Sequence, residues 1–190
     1  METRCAWVPP NNEAYVLYHD RDWGVPVHDD RLLFEMLILE GAQAGLSWDT
    51  ILKKRDNYRR AFFDFDIERC SKIDASDEEA LLANPGIVRN RLKIGSVKTN
   101  ALAVLKIREE FGSFDAYLWR FADCAPLQPA YRSIQEIPTT SELSDAISAD
   151  LKKRGMKFVG STIMQAYAQA VGLINAHTTD CFRYRPLSSP

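Results

Sequence analysis

Apolar residues in this chain recur at three- and four-residue spacing, and one such run after another ends at a glycine. Leu32, Leu33, Met36, Leu37 and Leu39 follow an Asp29-Asp30 start and run toward Gly41, the pattern of a core helix. A second run begins near Ser47 and carries Ile51, Leu52, Tyr58 and Phe62, which leaves the basic stretch Lys53-Lys54-Arg55 on its other side. Ser76, with Glu79 three residues later, reads as a capping box opening a short helix that stops at Asn84-Pro85-Gly86. The stretch Arg91 to Phe111 is closed by Gly112, the residue type that accepts a left-handed helix exit, and Ser113 can cap the next helix. Two further helices are expected, from Ser144 to Arg154 before Gly155 and from Ser161 to Val171 before Gly172. No period-2 segment bounded by hairpin turns competes with these, so the expected class is all-α, with a looser stretch from Cys124 to Thr140.

A chain of 190 residues, 46% hydrophobic and 26% charged, has the size and composition of one globular domain, so residues 1–190 are expected to form a single unit. No apolar run approaches the 18 or more residues of a membrane span, and the N-terminus lacks the apolar core of a signal peptide. A cytoplasmic protein is expected, without a membrane partner and working as a monomer. In that reducing setting four scattered cysteines speak for thiols, buried or metal-bound, over a disulfide framework.

The net charge of −2 argues against coating nucleic acid by bulk charge, but it conceals segments of opposite sign. Six basic residues and no acid lie between Asn84 and Arg108, four basic residues and no acid between Leu151 and Gly160, and seven acids with two bases between Asp64 and Glu79. A solvated surface and a phosphate-facing side both fit that pattern. The connection from Gly155 through Lys157 to Gly160, Ser161 and Thr162 joins two helices by a tight turn with hydroxyls at the new helix start. An ordinary helix-helix turn would look like this, and so would the anion site of a helix-hairpin-helix element, here spanning about residues 144–172.

Two further groups carry possible chemistry. Cys5 and His19 lie near one end of the chain, His177 and Cys181 near the other, the second pair spaced to share one face of a helix. Cys₂His₂ is a closed tetrahedral set for one structural zinc, although scattered thiols also serve as core residues. Glu40 ends a strongly apolar stretch in a region rich in Trp7, Tyr15, Tyr18, Trp23 and Trp48. Buried, it would need a partner or a shifted pKa and would suit a cationic ligand between aromatic walls; on the surface, it would be a plain helix-end charge.

Arg4-Cys5-Ala6-Trp7, Tyr18-His19-Asp20, Trp23-Gly24-Val25-Pro26, Leu39-Glu40-Gly41, Gln43-Ala44-Gly45-Leu46-Ser47-Trp48, Leu52-Lys53-Lys54-Arg55, Gly86-Ile87-Val88-Arg89-Asn90-Arg91 and the stretch Lys152 to Gly160 occur in that order. With these motifs the chain resembles the 3-methyladenine DNA glycosylase I family of bacteria, constitutive alkylation-repair enzymes of the helix-hairpin-helix superfamily. The resemblance covers Arg4 to Cys181. It implies an all-α helix-hairpin-helix fold whose termini are tied by one structural zinc on Cys5, His19, His177 and Cys181. It further implies that Glu40 hydrogen-bonds the extruded base, that Tyr18 and Trp48 stack on it, and that Trp7 and Trp23 stand in the pocket wall. Gly45 and Leu46 match the loop that enters the gap in the duplex.

The implied activity is monofunctional hydrolysis of the N-glycosidic bond of 3-methyladenine in alkylated duplex DNA. No lysine is placed by motif as a Schiff-base nucleophile, and Asp180, between two expected zinc ligands, is not assigned catalysis. A non-catalytic, zinc-tied lesion-binding protein and a glycosylase for another alkylated base are the competing readings.

Overall fold

The structure, a computed structural model, describes residues 2–188. Nine α-helices are formed among them: α1 Glu13–Arg21, α2 Asp30–Gln43, α3 Trp48–Ala61, α4 Ile67–Cys70, α5 Ala75–Ala83, α6 Arg91–Phe111, α7 Phe114–Trp119, α8 Glu142–Lys153 and α9 Ser161–Ala170. The described residues contain no β-strand, only an isolated parallel bridge between Leu127 and Ile174. The all-α expectation therefore holds. No helix among them is long and apolar enough to cross a membrane.

α2 is the axis of the molecule. Every residue from Leu33 to Ala42 is buried, as befits a helix covered on all sides, here by α3, α6, α7 and α9. Asp29 caps its start by accepting from the Leu32 N–H, and Ser47 does the same for α3 through Thr50. α6, 21 residues long and so about 31 Å, runs past α2, α4, α5 and α7 and ends at Gly112 with φ +87°. α8 and α9 pair closely across the 154–160 turn.

Four expectations need correction. The capping box of α5 is built by Asp74 and Asp77 rather than by Ser76 and Glu79; Asp74 has the extended backbone a cap requires and accepts from both Ser76 and Asp77. α8 begins two residues before Ser144, because Ser141 caps it and Ser144 closes the box, and it ends at Lys153. α9 ends at Ala170, a residue short of Val171. α1 was not anticipated; its mixed sequence carries no strong apolar stripe, and Asn12 starts it by accepting from the Tyr15 N–H.

Candidate functional site

α2 buries two glutamates five residues apart and treats them differently. Glu35 is enclosed by guanidinium groups: Arg55 Nε donates to it at 2.6 Å and Arg59 Nε at 3.0 Å, while Arg55 also reaches Asp22 at 2.6 Å. Arg55, read from the sequence as part of a leftover basic face, is thus turned inward and ties α3 to α2 and to the end of α1. Glu40, one turn and a half further along, is only 5% exposed and has no side-chain hydrogen bond among the described residues. Burial alone pushes its carboxyl up to about 8.

Glu40 faces a cavity of about 520 Å³, within the usual size of a small-molecule pocket. Trp7, Tyr18, Trp23 and Trp48 line it, so the structure brings together all the residues expected around a base. Tyr18 and Trp48 lie with ring centroids 5.2 Å apart and planes tilted by 44°. Burial and then the Glu40 carboxylate hold the Tyr18 phenol well above its ordinary value, which keeps it a neutral hydrogen-bond donor. Two more buried donors in this wall, Trp48 Nε1 and Gln165 Nε2, lack partners among the described residues. Gln165 Oε1 accepts from Ser141 Oγ, whose own lone pair takes the Ser144 N–H, so the amide presents its NH₂ side.

Sequence reading missed much of the opposite wall. Ile134, Ile137, Pro138 and Thr139, from the loose stretch, close the cavity together with Gln165 and Gln169 of α9. Nothing periodic marks that stretch, and only its tertiary position against the cavity gives it a role. Thr162, expected to meet a backbone phosphate, also lines the cavity.

Gln43 and Trp48, on either side of the turn after α2, both line the cavity. Gly45 there has φ +75° with open space around it, and Leu46 beside it is 41% exposed. The 154–160 turn is less open than expected. The Gly155 N–H goes to the Lys152 carbonyl at 2.9 Å and the Lys157 N–H to Asn100 Oδ1 at 2.8 Å, so neither amide is free. The Ser161 hydroxyl lies on the Asp145 carboxylate and on Ser144 Oγ. What remains open is the start of α9, where Gly160 supplies no side-chain cap. Arg154 is committed to Glu110 and Asp150, leaving Lys152, Lys153 and Lys157 as the exposed cations of that segment.

Behind the aromatic wall, Cys5, His19, His177 and Cys181 converge, all buried, with their donor atoms within 4.8 Å of one another. The last two do not share a helix, as the spacing suggested; a turn closed by the Cys181 N–H on the Thr178 carbonyl at 2.8 Å brings them together. Cys5 Sγ and Cys181 Sγ each lie 3.5 Å from His177 Nδ1, and Cys181 Sγ lies 3.5 Å from His19 Nε2. A tetrahedral ion with bonds of about 2.3 Å to sulfur and about 2.05 Å to nitrogen would space those atoms by about 3.5 Å. Each ring is held by its other nitrogen: His19 Nδ1 on Asp20 at 2.8 Å, His177 Nε2 on the Trp23 carbonyl at 3.1 Å. Both lone pairs therefore point at the cluster, which is close enough to hold a metal ion. Hydrogen bonds from Cys5 and then His177 keep the Cys181 thiol far below its ordinary value, while that same contact and burial push Cys5 up.

The fold and this site define an all-helical protein with a carboxyl-floored aromatic pocket backed by a thiol-imidazole cluster. A family profile described as Methyladenine glycosylase matches residues 7–184. The chain is 45% identical over 181 residues to DNA-3-methyladenine glycosylase 1 of Escherichia coli (strain K12), covering 95% of this chain and 96% of that protein. It superposes with TM-score 0.92 on a crystal structure of 3-methyladenine DNA glycosylase I, 48% identical, covering 95% of this chain and 98% of the other. The Staphylococcus aureus enzyme, solved to show the structural basis of 3-methyladenine recognition, also scores 0.92, at 36% identity over 98% of this chain and 97% of the other. The chain belongs to the methyladenine glycosylase family.

Proposed function

We propose that this protein is a DNA base-excision repair enzyme, a monofunctional glycosylase that hydrolyses the N-glycosidic bond of 3-methyladenine in alkylated duplex DNA and leaves an abasic site. The observation that carries this reading is the unpartnered Glu40 carboxyl at the floor of an aromatic cavity. A buried acid held near 8 is mostly protonated at neutral pH; a flipped, cationic base brings the missing positive charge and draws the proton away.

In this reading the base stacks against the Tyr18 and Trp48 rings, where π-faces favour a cationic plane. Trp7 and Trp23 bound the slot, and Glu40 reads the adenine edge. Methylation at N3 makes the base a good leaving group: the bond from sugar carbon to base nitrogen breaks, its electron pair neutralises the departing base, and water supplies hydroxide to the sugar and a proton to solvent. The residues contribute extrusion, stacking and charge complementarity. No lysine lines the cavity among the described residues, which fits hydrolysis over strand-cleaving lyase chemistry.

Leu46, exposed on a glycine turn, enters the gap left by the flipped nucleotide, with Gly45 allowing the close approach. The open start of α9 at Gly160 and Ser161, together with Lys157 and the Gly155 turn, meets the phosphate backbone. The ion held by Cys5, His19, His177 and Cys181 is zinc, by its two thiolates and two imidazoles. Four protein ligands leave no site for water, so the ion has a structural role, closing the whole chain into one unit. The enzyme works as a monomer in the cytoplasm, where its four cysteines persist without disulfides.

Chromatography of the bases released from methylated duplex DNA tests the reading. Free 3-methyladenine is expected. Binding to an abasic-site duplex without base release would instead make this a lesion-binding protein, and release of a different base would reassign the substrate.

A further inference from the structure

Lys93 and Asn100 lie seven residues apart on α6, hence on one face and about 10 Å from each other along the axis. Asn100 is buried and Lys93 half-buried, and both grip backbone rather than side chains. Lys93 Nζ donates to the carbonyls of Ala42, at 2.8 Å, and Ala44, at 2.6 Å, the last turn of α2 and its cap. These are carbonyls a helix end leaves without partners, and a cation there is favoured by the helix dipole. Asn100, 2% exposed, holds Lys157 from both sides: its amide NH₂ donates to the Lys157 carbonyl at 3.0 Å and its oxygen accepts the Lys157 N–H at 2.8 Å.

The two gripped segments are the turn carrying Gly45 and Leu46 and the turn leading to Gly160. The body of α2 also meets the second segment: a methyl group placed on Gly41 would lie 3.0 Å from Phe158 Cβ, so α2 and the 156–160 turn are packed backbone to side chain. α6 thus braces both surface turns, in addition to the direct packing of Gly41 against Phe158.

We propose that Lys93 and Asn100 are positioning residues that make α6 a spacer, setting the distance between the Leu46 turn and the Gly160 turn so that one damaged duplex meets both at once. This rests on the reading of those turns as duplex contacts. Two contacts held at the right separation act as a bivalent grip, in which engaging one presents the other at high effective concentration. Loosening either end lets the segment wander, and small misplacements of positioning groups are known to be costly for rate.

The test compares wild type with Lys93→Met, Asn100→Ala and the double variant. Lys93→Met keeps the stem and removes the ammonium; Asn100→Leu keeps the volume but neither hydrogen bond and replaces Asn100→Ala where that protein does not fold. Three quantities are measured: single-turnover excision from methylated duplex, affinity for an abasic-site duplex, and affinity for free 3-methyladenine by tryptophan fluorescence.

Each single variant is expected to lose about tenfold or more in excision and in abasic-duplex affinity, with free-base affinity within about twofold of wild type. The double variant is expected to be no worse than the weaker single one, because a bivalent grip is lost once. Lys93→Arg, which can still reach two carbonyls, is expected to recover most of the excision. Single variants close to wild type, free-base affinity falling in step with excision, or losses that multiply in the double variant would each overturn the spacer. If wild type itself releases no base, it is the glycosylase reading that fails, and the abasic-duplex affinities still decide the spacer.

Discussion

His177 rests its Nε2 on the Trp23 carbonyl, 3.1 Å away, and the Trp23 ring stands against the His177 ring with centroids 4.6 Å apart. Trp23 in turn meets Trp7 edge-on at 4.8 Å, and both indoles line the Glu40 cavity. The thiol-imidazole cluster is therefore the back of the pocket wall. Whatever orders the cluster orders the indoles.

That coupling gives the first prediction. Stripping the metal with a strong chelator, or Cys181→Ser, is expected to cost about 3–5 kcal/mol, since a structural ion contributes folding energy directly. For a chain of this length that lowers Tm by about 6–20 °C. Tryptophan emission should shift in the same titration, as Trp7 and Trp23 lose their backing. Metal analysis of protein purified without added metal should find one equivalent of zinc, and an unchanged Tm in Cys181→Ser would remove the site.

A second prediction concerns Glu40 and pH. Its carboxyl goes from an ordinary value of 4.5 to about 8 on folding, so between those values the folded state binds more protons than the unfolded chain. Stability from this group is therefore full below about pH 4 and falls as pH rises through 8. Glu40→Gln is expected to stabilise the protein by about 2–3 kcal/mol at pH 7 and to flatten the decline. Excision at low substrate should run the other way in wild type, rising toward pH 8 as the carboxylate forms, and Glu40→Gln should lose both the pH response and most of the rate. Full activity in that variant would exclude the proposed role.

The second buried glutamate allows a contrasting experiment. Removing Glu35 strands Arg55, whose side chain is 14% exposed, beside Asp22 alone. Glu35→Ala is expected to cost about 3–5 kcal/mol in urea unfolding, because one half of a buried ion pair remains. Replacing Glu35 and Arg55 together by Leu and Met should recover a good part of this. A double variant as unstable as the single would mean that the network does more than neutralise charge.

Gly172 is the most constrained glycine of the chain. Its φ is +79°, and an added methyl would lie 2.5 Å from the Pro26 nitrogen and 2.6 Å from the Val25 carbonyl carbon. Neither backbone atom can rotate aside. Gly172→Ala is expected to destabilise by about 2–4 kcal/mol, from strain and from overpacking together. Since the 24–27 segment also carries the turn behind Trp23, metal affinity should weaken alongside.

Helices were legible where a cap and a periodic stripe coincided. Asp29, Ser47 and Ser113 each cap the helix that follows, and Gly112 leaves α6 with positive φ, all as the local sequence requires. Local reading failed where neighbours compete. In Asp74-Ala-Ser-Asp-Glu-Glu two polar residues could cap, and Asp74 prevails because its side chain reaches two N–H groups at once. It failed again at Lys93, Arg55 and Arg154, basic residues whose charge alone suggested a surface, but which are drawn inward by Ala42 and Ala44 carbonyls, by Glu35, and by Glu110 and Asp150.

By itself the sequence determined the helical class, most helix ends and, through its motifs, the residues that line the cavity and form the thiol-imidazole cluster. Those are short-range properties: caps act within one turn, and stripes repeat every three or four residues. Only the tertiary structure decided that the unpatterned 134–139 stretch closes the cavity, that Glu35 is paired while Glu40 is not, and that α6 holds two distant turns at one spacing. Such relations join residues far apart in the chain, and nothing in the local periodicity of either partner encodes the other.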